Sequence, residues 1–389
     1  APTAPGKAGP DPAQPATPGG PKSIVKIGSV GTLSGPVGGA ATAMLAGLQV
    51  WIKSVNTAGG VNGHQIALVI GDDSGDPARH RSLLQKLVET DRVLAFVNNF
   101  DVLSASKASE DYLIAKRIPV IGGPGSNNEF YHSPMYFPEA AFGDTILFAG
   151  IAGMARVTVP EGKKKYGMLV CTEAQLCHDG ERVYAESAPK VGVEMVYRGQ
   201  GSLAQPDYTA QCLAARNAGV EVLLVILDPN SILRLGASCA RQGYHPIIGM
   251  TAGEVSDSMR QDPNLDGAVT VSNIFPWFQT GTPATDEFQA ALAKFGPQLE
   301  HGVGPATGWT SGKLFGKAAA AMPEPPTTEA ILQGLWSVKN DTLGGLTQPL
   351  TFTEGRNAPP DPACWFAIRL KDHGWMSADN FHLNCVHWL

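Results

Sequence analysis

The sequence is poor in charge and in the signatures of catalysis. Only 16% of its 389 residues are charged, 35 acidic against 29 basic, for a net charge of −6. No basic run occurs, which argues against a nucleic-acid surface. No apolar stretch approaches the ~20 residues of a membrane-spanning helix. The dinucleotide fingerprint G-x-G-x-x-G is missing: Gly28, Gly31 and Gly35 are spaced G-x-x-G-x-x-x-G. G-W-T-S-G-K-L (308–314) lacks the spacing and the hydroxyl of a phosphate-binding P-loop. There is no H-E-x-x-H and no G-x-S-x-G nucleophile elbow. Asp101, Ser104 and Ser126 sit in loops, but nothing in the sequence sets a histidine base beside them. D-D-S-G-D (72–76) has neither the spacing of an EF-hand nor its closing Glu, and reads as a capped, solvated turn. No metal and no cofactor is expected.

The cysteines are few and none form C-x-x-C. Cys171, Cys177, Cys212, Cys239, Cys364 and Cys385 make an even set, as disulfides in an exported protein would. Six buried thiols are the other reading, because a chain this long needs no staples. If bridged, the expected pairing is sequential: 171–177, 212–239 and 364–385. Cys364, His373, His382, Cys385 and His387 could also ligate zinc, although their spacings match no common structural site.

What is present is a large apolar fraction, 43%, enough for a sizeable core over two or three domains. Residues 1–22 hold seven prolines and five alanines and almost no bulky apolar side chain, the composition of an extended tether. Such a leader suits a protein held at a membrane by its N-terminus, through a lipid, or an ordinary disordered tail. The chain proper opens on residues 24–60. I-V-K-I-G-S-V (24–30) reads as a strand covered on both faces. G-T-L-S-G-P (31–36) is a loop with free backbone N–H groups. A helix over 38–56 follows, with Leu45, Leu48, Ile52 and Val55 on one stripe. A polar loop between a parallel strand and a helix N-terminus is where open α/β sheets place ligands.

The strand–helix alternation then continues. Strands are predicted at 65–71, 92–98 and 117–122. Helices are predicted from Pro77, capped by Asp76, to about 90 and over 103–116. The rhythm breaks at 134–145 and starts afresh. Strands at 165–171, 193–198, 220–227 and 245–250 alternate with helices at 143–157, 178–189, 206–219 and 230–242. A strand at 267–275 precedes helices near 284–295, 305–322 and 327–338. Strands at 346–353, 364–370 and 382–388 close the chain. The fold class is α/β, with two doubly wound, Rossmann-like parallel sheets in tandem.

In order and spacing these pieces resemble the type I periplasmic binding proteins, in the branch of the leucine/isoleucine/valine-binding protein of ABC importers. The resemblance rests on the I-K-I-G-like strand 25–28, S-G-P (34–36), N-T-A-G-G-V-N-G (56–63), D-D-S-G-D-P-A (72–78) and I-P-V-I-G-G-P-G-S (118–126), and it covers about residues 24–370. It implies two lobes joined by three crossover segments near 138–141, 273–276 and 345–350, with a solute bound between the lobes. Lobe 1 would be 23–139 plus 275–346, and lobe 2 would be 140–274 plus 347–389. The implied ligand positions are Ser34 in the first loop; Phe100, Asp101 and Val102 in the second; and Gly123, Gly125, Ser126 and Asn127 in the third. Leu176, Asn230 and Glu254 are implied from lobe 2, Glu254 facing an ammonium. Trp277 is placed to stack on an apolar or aromatic solute. The family's paired serines are replaced here by Phe-Asp-Val, its tyrosine by Leu176-Cys177, and its small-residue–Thr pair by Ser126-Asn127.

Three functions follow. The first is an extracytoplasmic solute receptor, in the periplasm or on the outer face of the membrane. It would be a monomer that binds an amino acid, an amide or a small carboxylate and delivers it to ABC permease subunits. The second is a sensor or regulator of the same fold, and the third a Rossmann-like enzyme.

Overall fold

The computed structural model describes residues 22–35, 38–124, 132–141, 143–355 and 363–387. The apolar run after the leader becomes β1 (Val25–Gly31). It pairs in parallel with β2 (Ile66–Asp72) on one side and β3 (Ala95–Val97) on the other. β4 (Val120–Ile121) and β5 (Tyr136–Phe137) extend this sheet, giving the order β2-β1-β3-β4-β5. The strand order therefore reverses between β1 and β3, which opens a crevice beyond their carboxyl ends. The helices of this half are α1 (Gly38–Thr57), α2 (Pro77–Glu89) and α3 (Lys107–Lys116). α2 starts as its sequence signals, with the Asp76 side chain accepting from the Arg79 N–H. α3 starts at Lys107 rather than 103, because the N-cap is Ser106 and residues before it turn.

The second sheet repeats the plan. β6 (Lys165–Cys171), β7 (Glu194–Gly201), β8 (Val222–Ile226), β9 (Ile247–Thr251) and β10 (Val269–Ser272) are parallel. β11 (Ala363–Lys371) and β12 (Gly374–Ser377) add on antiparallel, in the order β12-β11-β10-β9-β8-β6-β7, and β13 (Asn384–Val386) pairs with β11. Here the order reverses between β6 and β8. α4 (Gly143–Thr158), α5 (Gln175–Ser187), α6 (Thr209–Asn217) and α7 (Pro229–Ala240) flank this sheet.

After β10 the chain returns to the first half. α8 (Pro283–Phe295) and α9 (Val303–Ala318) pack on α1, and α10 (Thr328–Trp336) packs on α9. α1 and α9 approach closely because glycines line the contact: a Cβ on Gly308 would lie 1.8 Å from the Met44 carbonyl oxygen, and one on Gly312 would lie 2.5 Å from the Trp51 ring. The two helices run in the same direction, so their N-termini share one end of the lobe.

The chain thus passes between the two halves three times, between β5 and α4, β10 and α8, and α10 and β11. The stretch expected as a strand at 346–353 belongs to neither sheet. Among the described residues its pairings are isolated bridges such as Ile274 with Thr347 and Asp341 with Leu350, because it serves as one of these passes. All three disulfides form with the expected sequential pairing. The Cys364–Cys385 bond displaces the zinc reading, and no group of three or more metal-ligating side chains occurs among the described residues.

Gly308→Ala forces the α1–α9 contact apart. Its urea midpoint should fall by the equivalent of about 2–3 kcal/mol, with the fold retained by circular dichroism.

Candidate functional site

The loops at the carboxyl edge of the first sheet are bound into one unit by a buried carboxylate. Asp73, just past β2, is fully buried. Its Oδ1 accepts from Thr32 Oγ1 at 2.8 Å and from the Gly75 N–H at 2.8 Å. Its Oδ2 accepts from Ser104 Oγ at 2.7 Å and lies 2.8 Å from His80 Nδ1. One side chain therefore ties the loop after β1, the turn before α2, α2 itself and the loop after β3. Burial pushes the Asp73 carboxyl up, but the four hydrogen bonds outweigh it and hold it below its ordinary value. This corrects the expectation of a solvated turn: Asp76 caps α2 as expected, whereas Asp73 is the centre of a buried network.

The same unit holds Ser34 and the second loop. Ser34 is exposed, its hydroxyl 3.2 Å from that of Ser74. The Phe100 carbonyl accepts from the Thr32 N–H at 2.9 Å, and the Phe100 ring packs with Ala41 and Met44 of α1 and with Val102. Phe100 is therefore packed against the start of α1. Asp101 is buried, its carbonyl taking the N–H groups of Ser104 and Ala105. Of the third loop, Gly123 is described, while Gly125, Ser126 and Asn127 lie outside the described residues. The Gly123 N–H donates to Ser311 Oγ at 3.2 Å and to Glu139 Oε1 at 3.3 Å, so the protein itself already engages it.

On the second sheet Leu176, Asn230 and Glu254 follow β6, β8 and β9. Leu176 and Asn230 thus flank the switch point of that sheet, as Ser34 and Phe100 flank that of the first. Leu176 is half-buried at the start of α5, where the Cys171–Cys177 disulfide clamps the turn. Asn230 is exposed in the first turn of α7. Glu254 closes a 3₁₀ turn, Ala252–Glu254, and its Oε2 accepts the Thr251 N–H at 2.7 Å. Burial pushes its carboxyl well above the usual carboxylate range, against the pull of the Thr251 amide and hydroxyl. The turn 252–254 lies against α9 of the other half, so Glu254 stands where the two halves meet.

Trp277 sits elsewhere. It is buried edge-on to Trp375, with ring centroids 5.7 Å apart, and both line a cavity of ≈450 Å³ with Asp257, Arg260, Phe278 and Glu300. Glu300 joins the halves at this point. Its Oε1 accepts the N–H of Asp257 and, at 3.3 Å, that of Ser258. Sequence reasoning missed Asp73, Glu139 and Glu300. Asp73 carried a signal, an acid directly after an apolar strand; so did Glu139, a lone acid inside the apolar run M-Y-F-P-E-A-A-F (135–142). Glu300 carried none.

Residues 24–374 match the family described as periplasmic binding protein. The chain belongs to that family. Among curated proteins it is 25% identical over 266 residues to the Leu/Ile/Val-binding protein homolog 1 of Brucella abortus. That alignment takes in 64% of this chain and 61% of the relative, so the match spans less than two thirds of the relative's length. Among solved structures it resembles a solute-binding protein of an ABC transporter from R. palustris, in complex with benzoate. The TM-score is 0.74 at 15% identity, over 94% of this chain and 98% of that one. It also resembles the branched-chain amino acid transporter substrate binding protein LivJ of Streptococcus pneumoniae, in complex with isoleucine. There the TM-score is 0.71 at 17% identity, over 94% and 99%. These likenesses show the fold: two lobes of the type I, Leu/Ile/Val-binding-protein-like class. The family consists of extracytoplasmic solute-binding proteins rather than enzymes.

Asp73→Asn removes a charge that four donors stabilise, and should cost about 2 kcal/mol or more at pH 7 in chemical denaturation. The Asp73 carboxyl is lower in the folded state than in the unfolded chain. Its contribution is therefore complete above about pH 4 and declines as pH falls further, so the gap between wild type and variant should narrow there.

Proposed function

We propose that the chain is the solute receptor of an ABC importer, closing on a small organic molecule and presenting it to permease subunits in the membrane. The observation that carries this reading is the matched pair of switch points. Each sheet ends its two diverging strands in polar loops, and three passes of chain join the halves. Binding energy would come from burying the solute between lobes and meeting its polar ends with loop N–H groups and a few side chains. The lobes are taken as 23–139 with 275–346, and 140–274 with 347–389. The working state is a monomer, attached by its N-terminal leader outside the cytoplasm. The ligands bound in the two similar solved structures, isoleucine and benzoate, bracket the solute classes: amino acid, amide, or small aliphatic or aromatic carboxylate. Ser34, Asp101, Val102 and the third loop are assigned to lobe 1's share of the site, and Leu176, Asn230 and Glu254 to lobe 2's.

A thermal-shift screen across these classes tests the reading. A true solute at ~100 times its Kd adds ~2.7 kcal/mol of stability and is recovered unchanged. Consumption of the solute would indicate an enzyme. A solute that alters affinity for a protein partner, with no uptake defect in a deletion strain, would favour a sensor.

Glu254 is the assigned partner of a solute ammonium. Burial favours the protonated form of its carboxyl in the empty site, so a cation that pairs with the carboxylate also displaces protons. Affinity for an ammonium-bearing solute should rise with pH, with proton release visible in calorimetry across buffers of different ionisation enthalpy. Glu254→Ala should weaken that solute by about 30-fold or more. Unchanged affinity removes Glu254 from the site.

A further inference from the structure

Glu139 is fully buried on the first pass between the lobes. Its backbone carbonyl accepts the hydroxyl of Thr347, which lies on the third pass. Its side chain points the other way, to the start of the third cleft loop. Oε1 accepts the Gly123 N–H at 3.3 Å and lies 3.3 Å from the Ser311 hydroxyl of α9. Ser311 Oγ is also 3.1 Å from the Thr307 carbonyl and 3.5 Å from Asn98 Oδ1, so it chooses among three acceptors. The Tyr136 hydroxyl closes the ring by donating to the Gly123 carbonyl. The space is tight: a Cβ on Gly122, at φ +68°, would lie 2.2 Å from Ser311 Oγ and 2.9 Å from Glu139 Oε2.

We propose that Glu139 is a positioning residue that couples the hinge to the end of β4: its backbone anchors the third pass, and its carboxyl sets the backbone at Gly123. A shift of the passes is thereby transmitted to Gly123 through one residue. The inference concerns the hinge of the fold and stands whichever solute the cleft takes.

The chemistry of the group supplies a handle. Burial is the dominant influence on Glu139 and pushes its carboxyl up to about 8, against hydrogen bonds from its own amide, Gly123 and Ser311. The groups that face it from β3, β4, α9 and the third pass are Asn98, Gly122, Gly123, Ser311 and Thr347. All are uncharged, and Tyr136 of β5 is the one titratable neighbour in the ring. No ion pair reaches Glu139 among the described residues. As a neutral acid it can donate as well as accept, and Ser311 is the group placed to receive. Ionised, it has its own amide, Gly123 and Ser311 as donors, and Oε2 has no hydrogen-bonding side chain or neighbour among the described residues.

The test is hydrogen exchange of the whole protein at pH 7 and pH 9, corrected for intrinsic rates, on wild type and Glu139→Gln. Two segments are compared, 120–124 and 345–348. In wild type, both should lose protection together at pH 9, by about tenfold or more, while the Gln variant, which cannot ionise, stays flat. Chemical denaturation gives a second readout. Wild-type stability relative to Gln should fall as pH rises from about 4.5 to 8 and level off above, the sign for a carboxyl whose folded value is raised. This second measurement uses wild type alone if the variant does not fold. Equal pH response in both proteins, a flat wild type, or a response in only one of the two segments overturns the proposal. None of those results bears on whether a solute binds.

Discussion

The two halves of this molecule depend on a seam of hydrogen bonds among the three passes that join them. Asn273 Nδ2 donates to the Ala141 carbonyl at 2.6 Å, joining the second pass to the first. The Phe275 N–H donates to the Leu346 carbonyl at 2.8 Å, joining the second to the third, where Ile274 and Thr347 also bridge. The Thr347 hydroxyl donates to the Glu139 carbonyl, joining the third back to the first. Buried backbone outside a sheet must find partners somewhere. Here the passes satisfy one another, so none can shift alone. A hinge built this way favours rotation of the lobes as bodies over local unravelling.

On either side of the seam the two sheets meet one requirement by different means. The loop after the first strand of each half lies at a switch point and must be held in place, because a binding loop is useful only when its supports are rigid. In the first half a polar network centred on Asp73 does this, reaching Thr32, Gly75, His80 and Ser104. In the second a covalent bond does it: Cys171 ends β6 and Cys177 lies in the first turns of α5, so the disulfide spans the loop itself. The network responds to pH and the bond to redox conditions, so the two walls of the cleft have separate sensitivities.

The periodic parts of this fold were legible, and the family resemblance located the three passes, but the hydrogen bonds that join them were not legible. β1, α1, β6 and the start of α2 follow from β-branched runs, an apolar stripe and an Asp-Pro cap, all of which are local signals. Residues 346–353 have the same alternating character as a strand, yet among the described residues they form isolated bridges, to Ile274 and Asp341, rather than a sheet. Alternation reports half-burial, and a hinge segment between two lobes is half-buried without a sheet. β5 was missed because two residues carry no period. In the site, the loops were found from their place after strands, since topology determines that. The individual contacts were less accessible. Phe100 reads equally as a ligand-facing ring and as lobe packing, and it packs on Ala41 and Met44. Whether an aromatic residue in a loop turns toward its helix or toward the gap depends on tertiary packing that no local pattern encodes.

Three buried or partly buried carboxyls show how the surroundings decide what an acid does here. Asp73 has four donors and is held ionised. Glu139 has two amides, its own and that of Gly123, and one shared hydroxyl, and Glu254 has the Thr251 amide and hydroxyl. For both of these burial prevails and the carboxyl is pushed up. All three lie close to the cleft or its hinge, so the difference is one of donor count rather than of depth alone. A carboxyl already supplied with donors, like Asp73, gains little from an incoming cation and serves the scaffold. One left short of donors is uncharged while the site is empty and gains most when a donor arrives. By that argument Glu254, short of donors and set where the halves meet, is suited to detect a cationic group. Glu139, enclosed by the hinge, is suited to detect the position of the chain around it.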